Sequence, residues 1–389
     1  MLKGFRDFLP PLEITRLGLL EKIENSFRLF GFAPIDTPAL EYAEILLGKG
    51  GGETEKQIYR FKDNGGRDVA LRFDLTVPFA RFMAEHRDAL ALPFKRYHIA
   101  KVWRGENTQR GRYREFMQCD FDIVGSDSVA SDFEILLVMK DTLMSLGAGN
   151  IIIRVNHRGL FNRFLDRIGI AEKSAEILRV IDKVSKIGAE KTSEELSALL
   201  GNGKAVQLLD FITLRENFDE TLKAMTEASG PCPEAERLSL IRRFMIETGT
   251  ESFFALDPSI ARGLDYYTGL VFESFLAEMP GIGSVCSGGR YDNLVGLYTK
   301  PNAGQNLSGI GASIGIDRLI AALEALGKLR ERSTYSKAVI ACVKNEDGGR
   351  SQALAETLRK ENIPCEVSFD EGKLTKQFIN AEKKAYAGS

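Results

Sequence analysis

No stretch of the sequence approaches the ~18 consecutive apolar residues that a membrane helix needs. Met1 to Asp7 likewise lacks the apolar run of a secretory signal. The five cysteines (Cys119, Cys232, Cys286, Cys342 and Cys365) include no C-x-x-C pair. Their odd number and spacing argue against a zinc site or a disulfide framework, and predict reduced thiols in a cytoplasmic protein. A charge excess is missing too: 52 basic against 54 acidic side chains leave a net charge of −2, so any nucleic-acid site must be a local patch. Walker A, H-E-x-x-H and G-x-S-x-G sequences are absent, which disfavours P-loop, zincin and α/β-hydrolase chemistry. The segment Gly309 to Gly315 imitates a dinucleotide fingerprint, but its third glycine falls one place too late for G-x-G-x-x-G.

What is present is a globular chain of 389 residues, 44% hydrophobic and 27% charged, long enough for two or three domains. Leu17, Leu20, Ile23, Phe27 and Phe30 form one apolar stripe and predict a helix over 11–30, with Gly31 as its C-cap. Pro34 and Pro38 predict an extended segment, a glycine-rich loop follows around 48–52, and Val69, Leu71 and Phe73 alternate as a strand. Segments 95–104 and 114–124 read as strands joined by an arginine-rich loop, and Asp132 to Leu146 as a helix ended by Gly147. Between 171 and 236 the composition turns to Glu, Lys, Ala and Leu with helical periodicity, which predicts a helical insertion. Strands are expected over 253–275 and 309–316, then a helix to 326, a polar linker over 327–336, and a β-α-β unit from 338–343, 351–360 and 364–369.

The segment Arg112 to Val124 is the most informative. At period two, Met117, Cys119, Phe121 and Ile123 share one face, while Arg114, Phe116, Gln118, Asp120 and Asp122 share the other. Such a polar face either lies in water on a half-exposed strand or meets a ligand inside the protein. The preceding segment tilts the balance, since Lys95 to Arg114 holds seven basic residues and one acidic residue. Positive charge beside a line of carboxylate and amide groups suits a ligand with both anionic and cationic parts. Arg104, at a strand end, is placed to clamp phosphate, although taken alone it reads sooner as a surface ion pair. The Gly288-Gly289 pair permits close backbone approach, yet most such pairs simply make turns.

Five ordered motifs resemble the histidyl-tRNA synthetase family of class II aminoacyl-tRNA synthetases. Gly4 to Pro10 with the following helix resembles the family's opening and its dimer-forming first motif. Arg104-Gly105-Glu106 with Gly111 to Phe116 resembles the second motif, and Gly309 to Arg318 the third. Arg262 to Tyr267 and Ser287 to Tyr291 resemble the two signatures peculiar to the histidine enzyme. The resemblance implies an α+β fold: a six- or seven-stranded antiparallel catalytic sheet flanked by helices (1–170 and 237–326), a helical insertion (171–236), a linker (327–336) and a partial anticodon-binding α/β domain (337–389).

It also implies a homodimer that joins L-histidine, ATP with Mg²⁺, and the tRNA for histidine, with no dedicated metal site. By the same resemblance, Arg104 and Arg262 approach the α-phosphate from two sides; Glu106, Arg112, Phe116 and Arg318 complete the ATP site. Asp74, Thr76, Gln118, Asp122, Arg262, Tyr266 and Tyr267 surround histidine. Family members usually continue beyond one β-α-β unit at the C-terminus. A shortened domain leaves a second reading, the regulatory paralogue of ATP phosphoribosyltransferase, which binds histidine without aminoacylation. The presence of Arg104, Gln118, Arg262, Tyr266 and Tyr267 ranks the ligase ahead of it.

Overall fold

The alternating segments on either side of the arginine-rich loop pair with each other toward one edge of a large sheet. The computed structural model describes residues 1–48, 53–181, 184–260, 266–299, 307–329, 332–342, 344–368 and 373–386. Its strands are β1 (Ala33–Pro34), β2 (Leu40–Tyr42), β3 (Arg60–Lys62), β4 (Asp68–Leu71), β5 (Phe94–Trp103), β6 (Glu115–Val124), β7 (Ile151–His157), β8 (Phe254–Leu256), β9 (Leu270–Leu276), β10 (Cys286–Tyr291), β11 (Gly309–Gly315), β12 (Ala338–Ile340) and β13 (Cys365–Val367). The chain divides into two compact units, 1–22 with 323–389, and 23–322.

In the unit 23–322 the main sheet has the order β1-β5-β6-β11-β10-β9-β7-β8. From β5 to β7 every neighbour is antiparallel. The expected six or seven strands become eight, because the short pieces β1 and β8 add themselves in parallel at the two edges. Pro34, lacking an N–H, is tolerated in β1 because that strand is an edge. A separate three-stranded sheet, β2-β4-β3, holds the run at Val69.

Cys119, Phe121 and Ile123 are buried, with Phe27 packed 4.8 Å from Phe121 and 5.7 Å from Tyr97. Phe27 lies on the helix Pro10–Leu29. Gly31 closes that helix at φ 77°: its N–H donates to Arg28 O (3.0 Å), and the Phe32 N–H donates to Phe27 O (3.1 Å), a left-handed cap that glycine adopts without strain. Leu17 departs from expectation, being 45% exposed, whereas Leu19, Ile23, Ser26 and Phe27 are buried. Ser26 is satisfied by the Thr142 hydroxyl at 2.8 Å, a buried polar position that apolar spacing does not flag.

The helix beginning near Asp132 is Val129–Ser145. Residues 171–236 carry the helices Ser174–Ile181, Val184–Leu200, Asn202–Phe211 and Phe218–Ser229. A further helix, Pro233–Glu247, continues past that boundary. The strand expected over 253–275 is two strands, β8 and β9, and residues 261–265 between them lie outside the described residues. Most of the glycine-rich loop, 49–52, lies outside them as well.

In the other unit, β12 and β13 are parallel and shorter than expected. The helix Gly348–Lys360 connects them over a small core of Cys342, Ala355, Cys365 and Val367. A helix that the sequence reading did not anticipate, Leu374–Tyr386, follows. Among the described residues no helix is long and apolar enough to cross a membrane.

Gly288 sits inside β10, where a Cβ would overlap Gly311 O and stand 2.7 Å from Ala312 Cα. Backbone of an interior strand cannot retreat as a flexible side chain can. Gly288→Ala is therefore expected to lower stability by about 1–3 kcal/mol, measured from the denaturant midpoint; an unchanged midpoint would contradict this packing.

Candidate active site

Strand register turns the polar face of β6 into a floor. Asp122 pairs across to Arg96 on β5 and to Gly311 on β11, and Gly311 pairs to Gly289 on β10. Asp120 pairs with His98 and Ser313, and Gln118 with Ala100 and Gly315. Glycine in this column leaves room for larger groups. A Cβ at Gly311 would overlap the Asp122 carboxylate, and one at Gly289 would lie 2.8 Å from the Tyr267 ring. The Gly288-Gly289 pair is thus mid-strand, for close approach, and makes no turn.

The polar face is buried rather than bathed in water: Gln118, Asp120 and Asp122 are all buried. Such an array survives only if its charges are opposed. Arg96, with no exposed surface, lies 2.7 Å from Asp122 and 3.9 Å from Asp120. Its guanidinium sits 4.2 Å over the Phe79 ring. Burial pushes the Asp122 carboxyl up from its ordinary range while Arg96 and the Tyr291 hydroxyl, donating at 2.6 Å, pull it down. Burial raises Asp120 to about 7, against the same pull from Arg96. Burial, and then Arg96 and Arg72, hold His98 down at about 4, so it is neutral beside Asp36.

Asp74 is buried just before the helix Thr76–His86 and accepts the Val77 N–H at 2.9 Å. Burial raises its carboxyl, opposed by that N–H and then by Arg104. The rings of Tyr266 and Tyr267 meet edge-on at 4.9 Å, and Tyr266 meets Tyr291 at 6.0 Å. Gln118 donates to the Ser313 hydroxyl at 3.0 Å, which leaves its buried Oε1 without a partner.

The opposite side of the cleft is cationic. Arg104 donates to Phe73 O at 3.0 Å, and its guanidinium lies 4.3 Å over Phe73 and 5.2 Å over Phe116. Glu106 stands 3.7 Å from Arg104 and 3.6 Å from Arg112, too far for hydrogen bonds, so both forks keep donors to offer. Arg318 donates to Ser284 O; burial and then the Arg112 charge lower it to about 10, still a cation at neutral pH.

One cleft of about 1780 Å³ is lined by Asp74, Thr76, Arg104, Glu106, Arg112, Phe116, Gln118, Asp122, Tyr266, Tyr267 and Arg318. Those are all the candidates from the sequence except Arg262, which lies outside the described residues. Of the basic run, Lys95 pairs with Glu134 and Lys101 with Glu115, so neither serves the cleft. Sequence assigned no site role to Arg96, and it placed Asp120 only on the polar face and Tyr291 only within a signature. Arg96 stands two residues before His98 on an alternating strand, and that phase was the signal, but only register shows that it faces two aspartates. Among the described residues no cluster of His, Cys, Asp and Glu could hold a metal ion.

A family model described as histidyl-tRNA synthetase matches residues 4–319. A histidine–tRNA ligase of Treponema denticola is 51% identical over 99% of this chain and 86% of its own length. The crystal structure of histidyl-tRNA synthetase from Nostoc sp. PCC 7120 superposes with a TM-score of 0.85 at 32% identity, covering 99% of this chain and 89% of that one. An ATP phosphoribosyltransferase regulatory subunit/histidyl-tRNA synthetase from Bacillus halodurans C reaches a TM-score of 0.81 at 21% identity, covering 98% and 96%, a likeness of fold alone. With the family model spanning most of the sequence and the Treponema denticola relative 51% identical over 99% of it, the chain belongs to the histidyl-tRNA synthetase family.

Proposed function

We propose that this protein is a histidine–tRNA ligase and that the cleft is its active site. The observation that carries the reading is the cleft's double character: buried carboxylates and the unpartnered Gln118 Oε1 on one side, the guanidiniums of Arg104, Arg112 and Arg318 on the other. Histidine brings an ammonium and an imidazole to the first, and ATP brings phosphates and a flat base to the second. A histidine carboxylate oxygen attacks the α-phosphorus, the bond to the bridging oxygen breaks, and pyrophosphate leaves with the electron pair. A hydroxyl of the tRNA's 3′-terminal ribose then attacks the acyl carbon of the adenylate, loses its proton, and AMP departs.

In this reading Arg104 neutralises charge developing on the α-phosphate, which matters more than a general base in such a displacement. Phe116 and Arg318 flank the adenine, Glu106 touches it, and Arg112 faces the outer phosphates. Arg262 is assigned the far side of the α-phosphate on resemblance alone. Magnesium would arrive with ATP and would supply further charge neutralisation at its phosphates. Asp74, Thr76, Gln118, Asp122, Tyr266 and Tyr267 hold histidine, and apolar analogues are rejected because the buried Gln118 Oε1 would stay unpaired. We further propose a cytoplasmic homodimer, with the helices of 171–236 and the unit at 337–389 meeting tRNA. The regulatory reading shares the fold, but Arg104, Arg112 and Arg318, lining the same cleft as the acidic floor, favour an enzyme that handles ATP.

The protein is expected to catalyse exchange of pyrophosphate into ATP with histidine and with no other amino acid; no exchange with histidine would favour the regulatory reading. Asp122→Asn removes charge from hydrogen bonds worth about 1.5–3 kcal/mol, so the KM for histidine should rise about ten- to hundredfold while that for ATP holds. An unchanged KM for histidine would remove Asp122 from the site. Asp120 holds its proton more tightly folded than unfolded. Its contribution therefore falls as pH rises from the ordinary carboxyl range through about 7. Ligand-free wild type should lose more stability than Asp120→Asn between about pH 5 and about pH 8; denaturation curves with equal pH dependence would contradict this.

A further inference from the structure

On the side of the sheet away from the cleft lies a buried carboxylate gripped by two guanidiniums. Asp132, on the helix Val129–Ser145, has no exposed surface. Its Oδ1 accepts from Arg290 Nε at 2.9 Å and Nη2 at 2.5 Å, and its Oδ2 from Arg237 Nε at 2.5 Å. Arg290 belongs to β10, and Arg237 to the helix Pro233–Glu247 that follows the helical segment. The same guanidiniums also donate to Ser126 O at 3.2 Å and Asp127 O at 3.0 Å, so both hold the loop before the helix.

Arg290 and Tyr291 point to opposite faces of β10. While Arg290 is anchored to Asp132, Tyr291 donates to Asp122 at 2.6 Å on the cleft side. The Arg290 carbonyl accepts the Thr268 N–H at 2.8 Å, one residue after Tyr267. Thr268 and Ser308 in turn donate to the two oxygens of Asp292, at 2.5 and 2.6 Å. A shift of Arg290 would therefore move Tyr291 and the Tyr266–Thr268 segment together, and both line the cleft. Apolar packing would hold these elements at least as firmly as a buried ion pair. What the fork-shaped charge contacts add is direction.

We infer that Asp132 and Arg237, acting through Arg290, are positioning residues for the amino-acid side of the cleft. The inference rests on the ligase reading. Neither side chain lines the cleft, so a purely structural role would affect both substrates alike.

The test is pyrophosphate exchange with Arg237→Ala, Arg237→Lys and Asp132→Asn, measuring KM for histidine and for ATP alongside thermal unfolding. Exchange by the wild type in the same assay keeps this inference separate from the functional reading. Arg237→Ala leaves the Arg290–Asp132 pair in place and should raise the KM for histidine about three- to tenfold with the KM for ATP unchanged. Arg237→Lys, which keeps the charge, should recover most of the loss, and Asp132→Asn should exceed Arg237→Ala. Should Asp132→Asn fail to fold, Arg237→Ala decides alone. A KM for histidine that does not move in folded Arg237→Ala, the two KM values rising together, or a lysine variant as impaired as the alanine one would each overturn the inference.

Discussion

Arg96 is the fixed cation that lets three carboxylates lie inside the protein. Asp74, Asp120 and Asp122 are all buried, and the Arg96 charge opposes the effect of burial on each. Without an internal cation, such acids would shed their charge or draw water into the core. The guanidinium is in turn set by the Phe79 ring and by Leu75 O at 3.4 Å. The result is an acidic floor built before any ligand arrives, and such preorganisation favours ligands that bring N–H donors of their own.

Glycine supplies the complementary half of the design. Side chains at 289 and 311 would occupy the volume that Tyr267 and the Asp122 carboxylate fill. The two motifs that carry these glycines, one on β10 and one on β11, are neighbours in the sheet although well apart in the chain. Gly111 does similar work at the cationic side: it sits at φ 71°, where a Cβ would stand 3.1 Å from Arg318 Cα. Close backbone approach, rather than any single reactive group, connects the fold to the site.

Much of this was legible in the sequence because alternation on β6 separates Cys119 and Phe121 from Asp120 and Asp122 whatever the strand pairs with. Thr76 and Arg318 stand in the first turns of their helices, and Arg104 directly follows a strand, places where a sequence motif is readily recognised. What stayed hidden depends on partners. The inward direction of Arg96 is a property of register with β6, and a count of basic residues could not tell it from Lys95 or Lys101. The glycine pair at 288–289 looks the same in a turn and in a strand. The helix Pro10–Leu29 was found, but its buried face passes through Ser26, whose partner Thr142 is far away in the chain. The parallel edges β1 and β8 are too short to carry a periodic signal, and Asp132 looks like any polar residue in a first turn until Arg237 and Arg290 are seen on it.

One continuous cleft is built to hold an amino acid over the glycine floor and a nucleotide phosphate at Arg104. A crystal structure with histidine and a non-hydrolysable ATP analogue tests it most directly. The predicted result places the imidazole and ammonium of histidine among Gln118, Asp122 and Asp74, with its carboxylate facing an α-phosphate held by Arg104. Histidine bound away from β6, or the two ligands in separate cavities, would contradict the account.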